Sequence, residues 1–547
     1  MASGANSDRL LARDVTSSEI ENPRQPLING VTSSESYSAT AAILPFFFPA
    51  LGGLLYGYDI GATSGAKISL QSSSLSGTTW YNLSSLEIGL VVSGSLYGAL
   101  IGSALAFTIA DFLGRRRELL LSAVLYFVGA LLTALAPNFP VMVIGRFVYG
   151  TGIGLAMHAA PMYIAETCPT QIRGRLISLK EFFIVFGMLL GYISGSIYVD
   201  LIGGWRYMYA TSAPICLIMG IGMWWLPPSP RWLLLCAIQG KGSLPHTKEV
   251  AITCLCRLRG VAFISSASEQ VDLILDELSY VDQEKQAAFS EIFRGKCLKA
   301  LIIGAGLVFF QQVTGQPSVL YYAATILQSA GFSAASDATR VSILLGLLKV
   351  ETELEHIARA VYTIKLWQVL FKGLIFLFPL QLIMTGVAVL VVDRLGRRPL
   401  LIGGVSGIMN LDRCAALVYP FIRFCAISLF LLSSYYTLLN SLPSVAVIAL
   451  LLYVGCYQLS FGPIGWLMIS EIFPLRLRGR GLSIAVLVNF ASNALVTFAF
   501  SPLETLVGTG VLFAGFGVIA IASLLFIFFI VPETKGLTLE EIEAKIL

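Results

Sequence analysis

Runs of about twenty residues almost free of charge recur along this chain, and they leave few folds open to it. They lie at 41–63, 88–110, 118–136, 141–165, 177–199 and 208–226, and a second set begins at 298–328 and ends with 509–531. A helix of that length matches the hydrocarbon thickness of a bilayer. Soluble domains carry about a quarter charged residues. This chain of 547 residues has 12% charged and 56% hydrophobic, too little charge to cover a soluble surface. An all-α polytopic membrane protein is expected, which excludes a soluble enzyme, a secreted disulfide scaffold and a nucleic-acid binder. The net charge of +4 argues for no polyanionic partner. The nine Cys are scattered, Cys254 and Cys256 are too isolated for zinc, and the three His join no cluster of ligand spacing, so no metal or cofactor is expected.

Between and around the runs lie three polar stretches. Residues 1–40 are Ser-rich with mixed charges and lack a signal-peptide core, the pattern of a flexible cytosolic tail. Residues 227–297 are charge-rich and read as an amphipathic cytosolic loop, and 532–547 as a second tail. Arg115, Arg116 and Arg117 follow the second run, and Arg173 and Arg175 the fourth, whereas the alternate loop 64–87 has only Lys67. Both termini are therefore expected in the cytosol. Asn82-Leu83-Ser84 is a glycosylation sequon on the opposite side, or a chance match.

The chain also repeats itself. Asp111-Phe112-Leu113-Gly114-Arg115-Arg116 returns as Asp393-Arg394-Leu395-Gly396-Arg397-Arg398. Glu166, Pro169 and Arg173-Gly174-Arg175 return with the same spacing as Glu471, Pro474 and Arg478-Gly479-Arg480. Both copies fall on the same side, so two halves run in parallel, 41–226 and 298–531, with a site expected between them near the midplane. Asp393 and Glu471 are nevertheless 78 residues apart, against 55 for Asp111 and Glu166, so the second half carries additional chain.

With the repeated loops, Gly145-Arg146, Pro227-Pro228-Ser229-Pro230-Arg231-Trp232, Gln311-Gln312 before Gly315, Tyr321-Tyr322, Gly462-Pro463 before Trp466, and Pro532-Glu533-Thr534-Lys535-Gly536 complete a pattern. Over roughly 41–541 it resembles the sugar porter family of the major facilitator superfamily, its plant proton-symporter-like and vacuolar members above all. The resemblance implies twelve transmembrane helices in two pseudo-symmetric six-helix halves. Against it, spans eight and nine are disturbed by insertions at 350–381 and 410–426. The first insertion holds Glu351, Glu353, Glu355 and Arg359, and at about 2.5–3.5 kcal/mol per charge near a helix centre its beginning should not span. Residues 373–392 and 424–442 carry no charge and can stand in for the interrupted spans.

The resemblance also assigns roles. Gln311, Gln312, Tyr321, Trp466, Asn489 and Asn493 would line a sugar site: amides pair with hydroxyls, and an indole faces the apolar side of a pyranose. Interhelical glue for the glutamines and simple packing for Trp466 are the alternatives. Glu181 stands where the family has a sugar-binding Gln, beside Lys180, and both also fit a place near the interface. Pro317 replaces an Asn and offers no donor. Asp59 and Arg146, each inside an apolar run, would couple transport to protons or form a static pair. His158 is either a proton relay or a packed histidine. Asp111, Arg115, Glu166, Arg173, Asp393, Arg397, Glu471 and Arg478 would form cytosolic gating clusters.

The sequence is thus expected to encode a monomeric carrier of a monosaccharide such as glucose or xylose, driven by protons, with the vacuolar membrane favoured over the plasma membrane or plastid envelope. The rivals are an uncoupled facilitator, a non-transporting isoform disabled by the insertions, a sugar sensor and, last, a membrane enzyme. Val350 and Gln381 are compatible with the ends of a translated intron. Transcript reads that join Lys349 directly to Leu382 in every sample are the expected outcome if that insertion is a translated intron; reads that keep it show it to be real.

Overall fold

In a computed structural model, the described residues are 39–168, 170–238, 240, 243–259, 264–283, 293–330, 424–439, 445–454, 457, 468, 472 and 478–532. They are helical, and no strand occurs among them. Helices α1 (Ala39–Gln71), α2 (Ser85–Leu113), α3 (Arg115–Ala134), α4 (Phe139–Thr167) and α5 (Thr170–Tyr198) are followed by α6 (Gly204–Ala210) and α7 (Ser212–Trp225). Three short helices come next, α8 (Pro230–Ile238), α9 (Leu244–Arg259) and α10 (Ile264–Gln283). The later set comprises α11 (Gly295–Val313), α12 (Gln316–Tyr321), α13 (Ala323–Ser329), α14 (Phe424–Ser434) with a π-helical turn at Tyr435–Leu439, α15 (Val445–Val454), α16 (Arg478–Val507) and α17 (Thr509–Ile530). Seven spans among the described residues are long and apolar enough to cross a membrane.

Lipid supplies no hydrophobic drive for one helix to prefer another, so close backbone packing must do it. The chain meets that need with glycines four apart. On α1, Gly57, Gly61 and Gly65 face Gly187, Gly191 and Gly195 of α5. A Cβ on Gly57 would lie 1.7 Å from the Ile184 carbonyl oxygen, and one on Gly61 would lie 2.2 Å from that of Met188. The α2–α4 seam repeats the device, with Gly98 against Phe147, Gly102 against Thr151 and Gly150 against Ser95. The α1–α5 and α2–α4 pairs are accordingly among the most extensive helix contacts in the molecule.

Two expectations change in the structure. Helix α1 continues to Gln71, past the apolar limit at 63, because Ser64, Ala66, Lys67, Ser69 and Leu70 are buried among other helices. Lys67 therefore lies inside the bundle rather than in an open loop, with its ammonium 4.4 Å from the centre of the Tyr322 ring. The run 298–328 is broken between α11 and α12 at Gly315, whose φ of +95° is left-handed, and again between α12 and α13 at Tyr322. The freed carbonyls find partners: the Tyr453 hydroxyl donates to Thr314 O and that of Tyr457 to Gln311 O, each at 2.9 Å.

The charged stretch after α7 folds on itself. Leu234, Ala251, Leu255, Ala267 and Val271 of α8–α10 form a small core, and Lys248 pairs with Asp272. Arg257 donates to Trp225 O at 3.0 Å, and Arg116 donates to Met223 O and Trp224 O, so two cations close the carbonyl end of α7. The sequon residue Asn82 is exposed.

Valine at Gly61 forces α1 and α5 apart. Its expected cost is about 3 kcal/mol or more, read as a lowered midpoint of thermal unfolding of the detergent-solubilised protein. Gly515→Ala, where a Cβ meets nothing within 4 Å, should leave that midpoint unchanged.

Candidate functional site

At the centre of the first helices lies a charged pair. Asp59 on α1 is 3% exposed and Arg146 on α4 is 1% exposed. The Arg146 guanidinium donates from Nη1 to Asp59 Oδ1. It also donates to Val91 O at 3.0 Å, Val92 O at 3.2 Å and Ser95 Oγ at 3.0 Å, all on α2. Ser95 in turn donates to Asp59 Oδ2 at 2.7 Å. The Tyr209 ring lies 5.2 Å from the guanidinium carbon. These contacts need α2 and α4 close together, and Gly94 permits it: a Cβ there would touch Arg146 Cβ at 3.0 Å. A small cavity adjoins the pair, lined in part by Tyr58, Thr133, Tyr209 and Ser212.

Across from this network stands the broken helix. Gln311 and Gln312 are buried on α11, and Gln312 Nε2 donates to Asn489 Oδ1 on α16 at 2.5 Å. Asn489 and Asn493 are both on α16, but Asn493 Oδ1 instead accepts from Thr497 Oγ1 one turn on, at 3.1 Å. Tyr321 is fully buried and close enough to Asp59 and Arg146 to interact with their charges. The structure therefore brings Asp59, Arg146 and Tyr321 into one neighbourhood and joins Gln312 to Asn489.

Of the charges near the arginine-rich end, Arg115 Nε donates to Glu166 Oε1 at 3.2 Å, and Ser229 Oγ donates to Glu166 Oε2. His158 Nδ1 lies 2.9 Å from Glu118 Oε1, and Glu118 is fully buried. Asp111, Arg173, Glu181 and Arg478 fall on α2, α5, α5 and α16, but their side chains are outside the described part. Asp393, Arg397, Trp466 and Glu471, the insertions at 350–381 and 410–426, and both tails lie outside the described residues.

Several residues of these networks were not singled out by sequence. Ser95, Tyr209 and Gln316 sit on apolar stretches where nothing but the rotation of each helix decides what they face. Gln316 is 6% exposed, and its Nε2 has no hydrogen-bond partner.

Among the described residues, the first and later helices meet at several points. Tyr192 donates to Leu320 O at 2.8 Å, and the Ala324 N–H donates to Ser64 Oγ at 3.0 Å. The Tyr56 and Phe490 rings meet edge-on at 6.2 Å, and those of Tyr97 and Phe498 at 6.4 Å. Two packed helix sets holding polar groups between them are the anatomy of a secondary transporter.

Comparison with known proteins agrees. The profile of the family described as "Sugar (and other) transporter" matches residues 46–354 and 363–546, the break falling inside the first insertion. The chain is 65% identical to the D-xylose-proton symporter-like 2 protein of Arabidopsis thaliana over 97% of its own length and 96% of the relative's. It is 59% identical to D-xylose-proton symporter-like 3, chloroplastic, of the same plant, over 94% and 84%. A partially occluded, inward-open structure of the E. coli xylose transporter XylE superposes with a TM-score of 0.68 at 27% identity, covering 91% of this chain and all of that one. Another XylE structure, described as a major facilitator superfamily proton:xylose symporter, gives 0.66 at 29%, covering 93% of this chain and all of that one. The protein belongs to the sugar transporter family and has the major facilitator fold, as an integral membrane protein.

Removing either member of the central pair should not be symmetric. Arg146→Leu strands Asp59 with Ser95 alone and should cost about 3–5 kcal/mol. Asp59→Asn leaves Arg146 its three acceptors on α2 and should cost markedly less. Thermal unfolding of the two purified variants checks the order.

Proposed function

We propose that the protein carries a monosaccharide together with a proton across a membrane by alternating access. The observation that carries this reading is the buried Asp59–Arg146 pair with Tyr321 beside it. Ionised, Asp59 holds Arg146; protonated, it no longer does, yet the guanidinium keeps Ser95 and two carbonyls and is not orphaned. The pair can therefore open at a moderate cost. The small cavity beside it, lined by Tyr58, Thr133, Tyr209 and Ser212, suits a single water next to the carboxylate. Tyr321 rides on α12, and with Gln311, Gln312, Asn489, Asn493, Trp466 and Glu181 it makes up the proposed set of sugar residues, so sugar binding and the charge of Asp59 bias the same rearrangement.

The gating role belongs to the charges around Arg115 and Glu166, a pair whose side chains are only 7% and 12% exposed. The names of the relatives make D-xylose the first solute to test, with D-glucose beside it. The vacuolar membrane is the favoured location, and the chloroplastic relative makes the plastid envelope its rival. The fully hydrogen-bonded state of Arg146 also fits an uncoupled facilitator, in which the pair never opens.

Radiolabelled D-xylose and D-glucose uptake into proteoliposomes, with and without a pH gradient, tests the reading. Acidifying the side of entry should drive accumulation above equilibrium. Asp59→Asn should abolish that accumulation while sparing counterflow, and accumulation that survives the substitution, or wild-type influx indifferent to the gradient, leaves the facilitator.

A further inference from the structure

The polar groups of the first helix set are nearly all engaged, whereas those of α12 are not. Gln316 Nε2 is buried and without a hydrogen-bond partner, and Tyr321 Oη on the same six-residue helix lies near Ser95 without a hydrogen bond of ordinary length. A buried amide donor left unmade costs about 1–3 kcal/mol, and an orphan of this kind calls for an explanation. Several polar groups around the break are satisfied. Gln312 has Asn489, the Thr314 and Gln311 carbonyls have Tyr453 and Tyr457, and Ser318 Oγ donates to Val496 O at 3.2 Å. Pro317, the next residue, brings no donor of its own.

We infer that Gln316 is a sugar-binding residue that donates from its side-chain amide to a hydroxyl of the transported monosaccharide. The inference rests on the transport reading above and adds to it a contact that sets affinity. Gln316 immediately follows the Gly315 break, between the Gln312–Asn489 pair and Tyr321. Non-helical backbone at membrane depth survives only where it is buried in protein or lines a cavity. A hydroxylated ring supplies acceptors for Nε2 and both donor and acceptor for the Tyr321 hydroxyl. Helix α12 also carries the Leu320 carbonyl that holds Tyr192, so the amide moves with the segment that joins the two helix sets.

The experiment uses the purified full-length protein, D-xylose and D-glucose as probes, and the variants Gln316→Met and Gln316→Asn. Methionine keeps the volume and removes the orphan, so the sugar-free thermal midpoint should hold or rise. The KM for the better sugar should rise roughly tenfold, with kcat changed less, and the sugar-induced thermal shift should shrink. Asparagine retains a donor and should recover part of both. An active wild type beside a methionine variant with unchanged KM and thermal shift overturns the inference alone. A methionine variant that loses sugar-free stability does so too, since the amide is then part of the fold. A wild type neither stabilised by nor carrying either sugar overturns the transport reading, and this inference with it.

Discussion

A carboxylate and a guanidinium buried in an apolar bundle set the terms for everything around them. Removing each from water costs several kcal/mol, and their attraction offsets this only with good geometry and with the remaining donors and acceptors matched. Arg146 achieves that with Asp59, Ser95 and two carbonyls of α2. The carbonyls are within reach because α2 and α4 pack backbone to backbone. Gly94, Gly98 and Gly150 make that approach possible. The glycine spacing, the close seam and the survival of the ion pair are thus one causal chain.

The glycine seams within the first helix set differ in kind from the contacts that α1 and α5 make with α12 and α13. Glycine seams bring main chains into contact along several turns. The joints of α1 and α5 to α12, α13 and the residue between them include single hydrogen bonds and a cation over a ring: Tyr192 to Leu320, Ser64 to Ala324 and Lys67 over Tyr322. Between α2 and α16 the sets pack more extensively, and a Cβ on Gly89 would lie 2.8 Å from Phe498 O. Rigid-body rearrangement requires contacts that can break, and the first group is of that kind.

The sequence carried the apolar spans of the described helices and the identity of the two buried charges, because an Asp and an Arg inside apolar runs have few ways to be tolerated. It carried less about partners. Asn489 and Asn493 share a helix face by spacing, yet one bonds across to Gln312 and the other along its own helix to Thr497. Lys67 looked like a loop residue because the apolar run stops at 63, whereas its burial comes from neighbouring helices. Ser95 gave no local signal; only the rotation of α2 against α4 puts its hydroxyl between the two charges. The four-residue glycine spacing was legible in principle, and its meaning depends on which helices face each other.

Satisfied and unsatisfied polar groups are divided unevenly in this molecule, and the division has a physical sense. A carrier's empty site must hold donors and acceptors that its own chain does not quench, or a solute would gain nothing by replacing them. The same groups cannot be too many, since each buried orphan weakens the fold by about 1–3 kcal/mol. Around Asp59 the chain spends four donors of Arg146 and Ser95 to keep charges in place. Around α12 it leaves Gln316 Nε2 and Tyr321 Oη open. The first arrangement keeps a titratable pair intact in an apolar bundle; the second leaves a short segment incomplete until something rich in hydroxyls completes it.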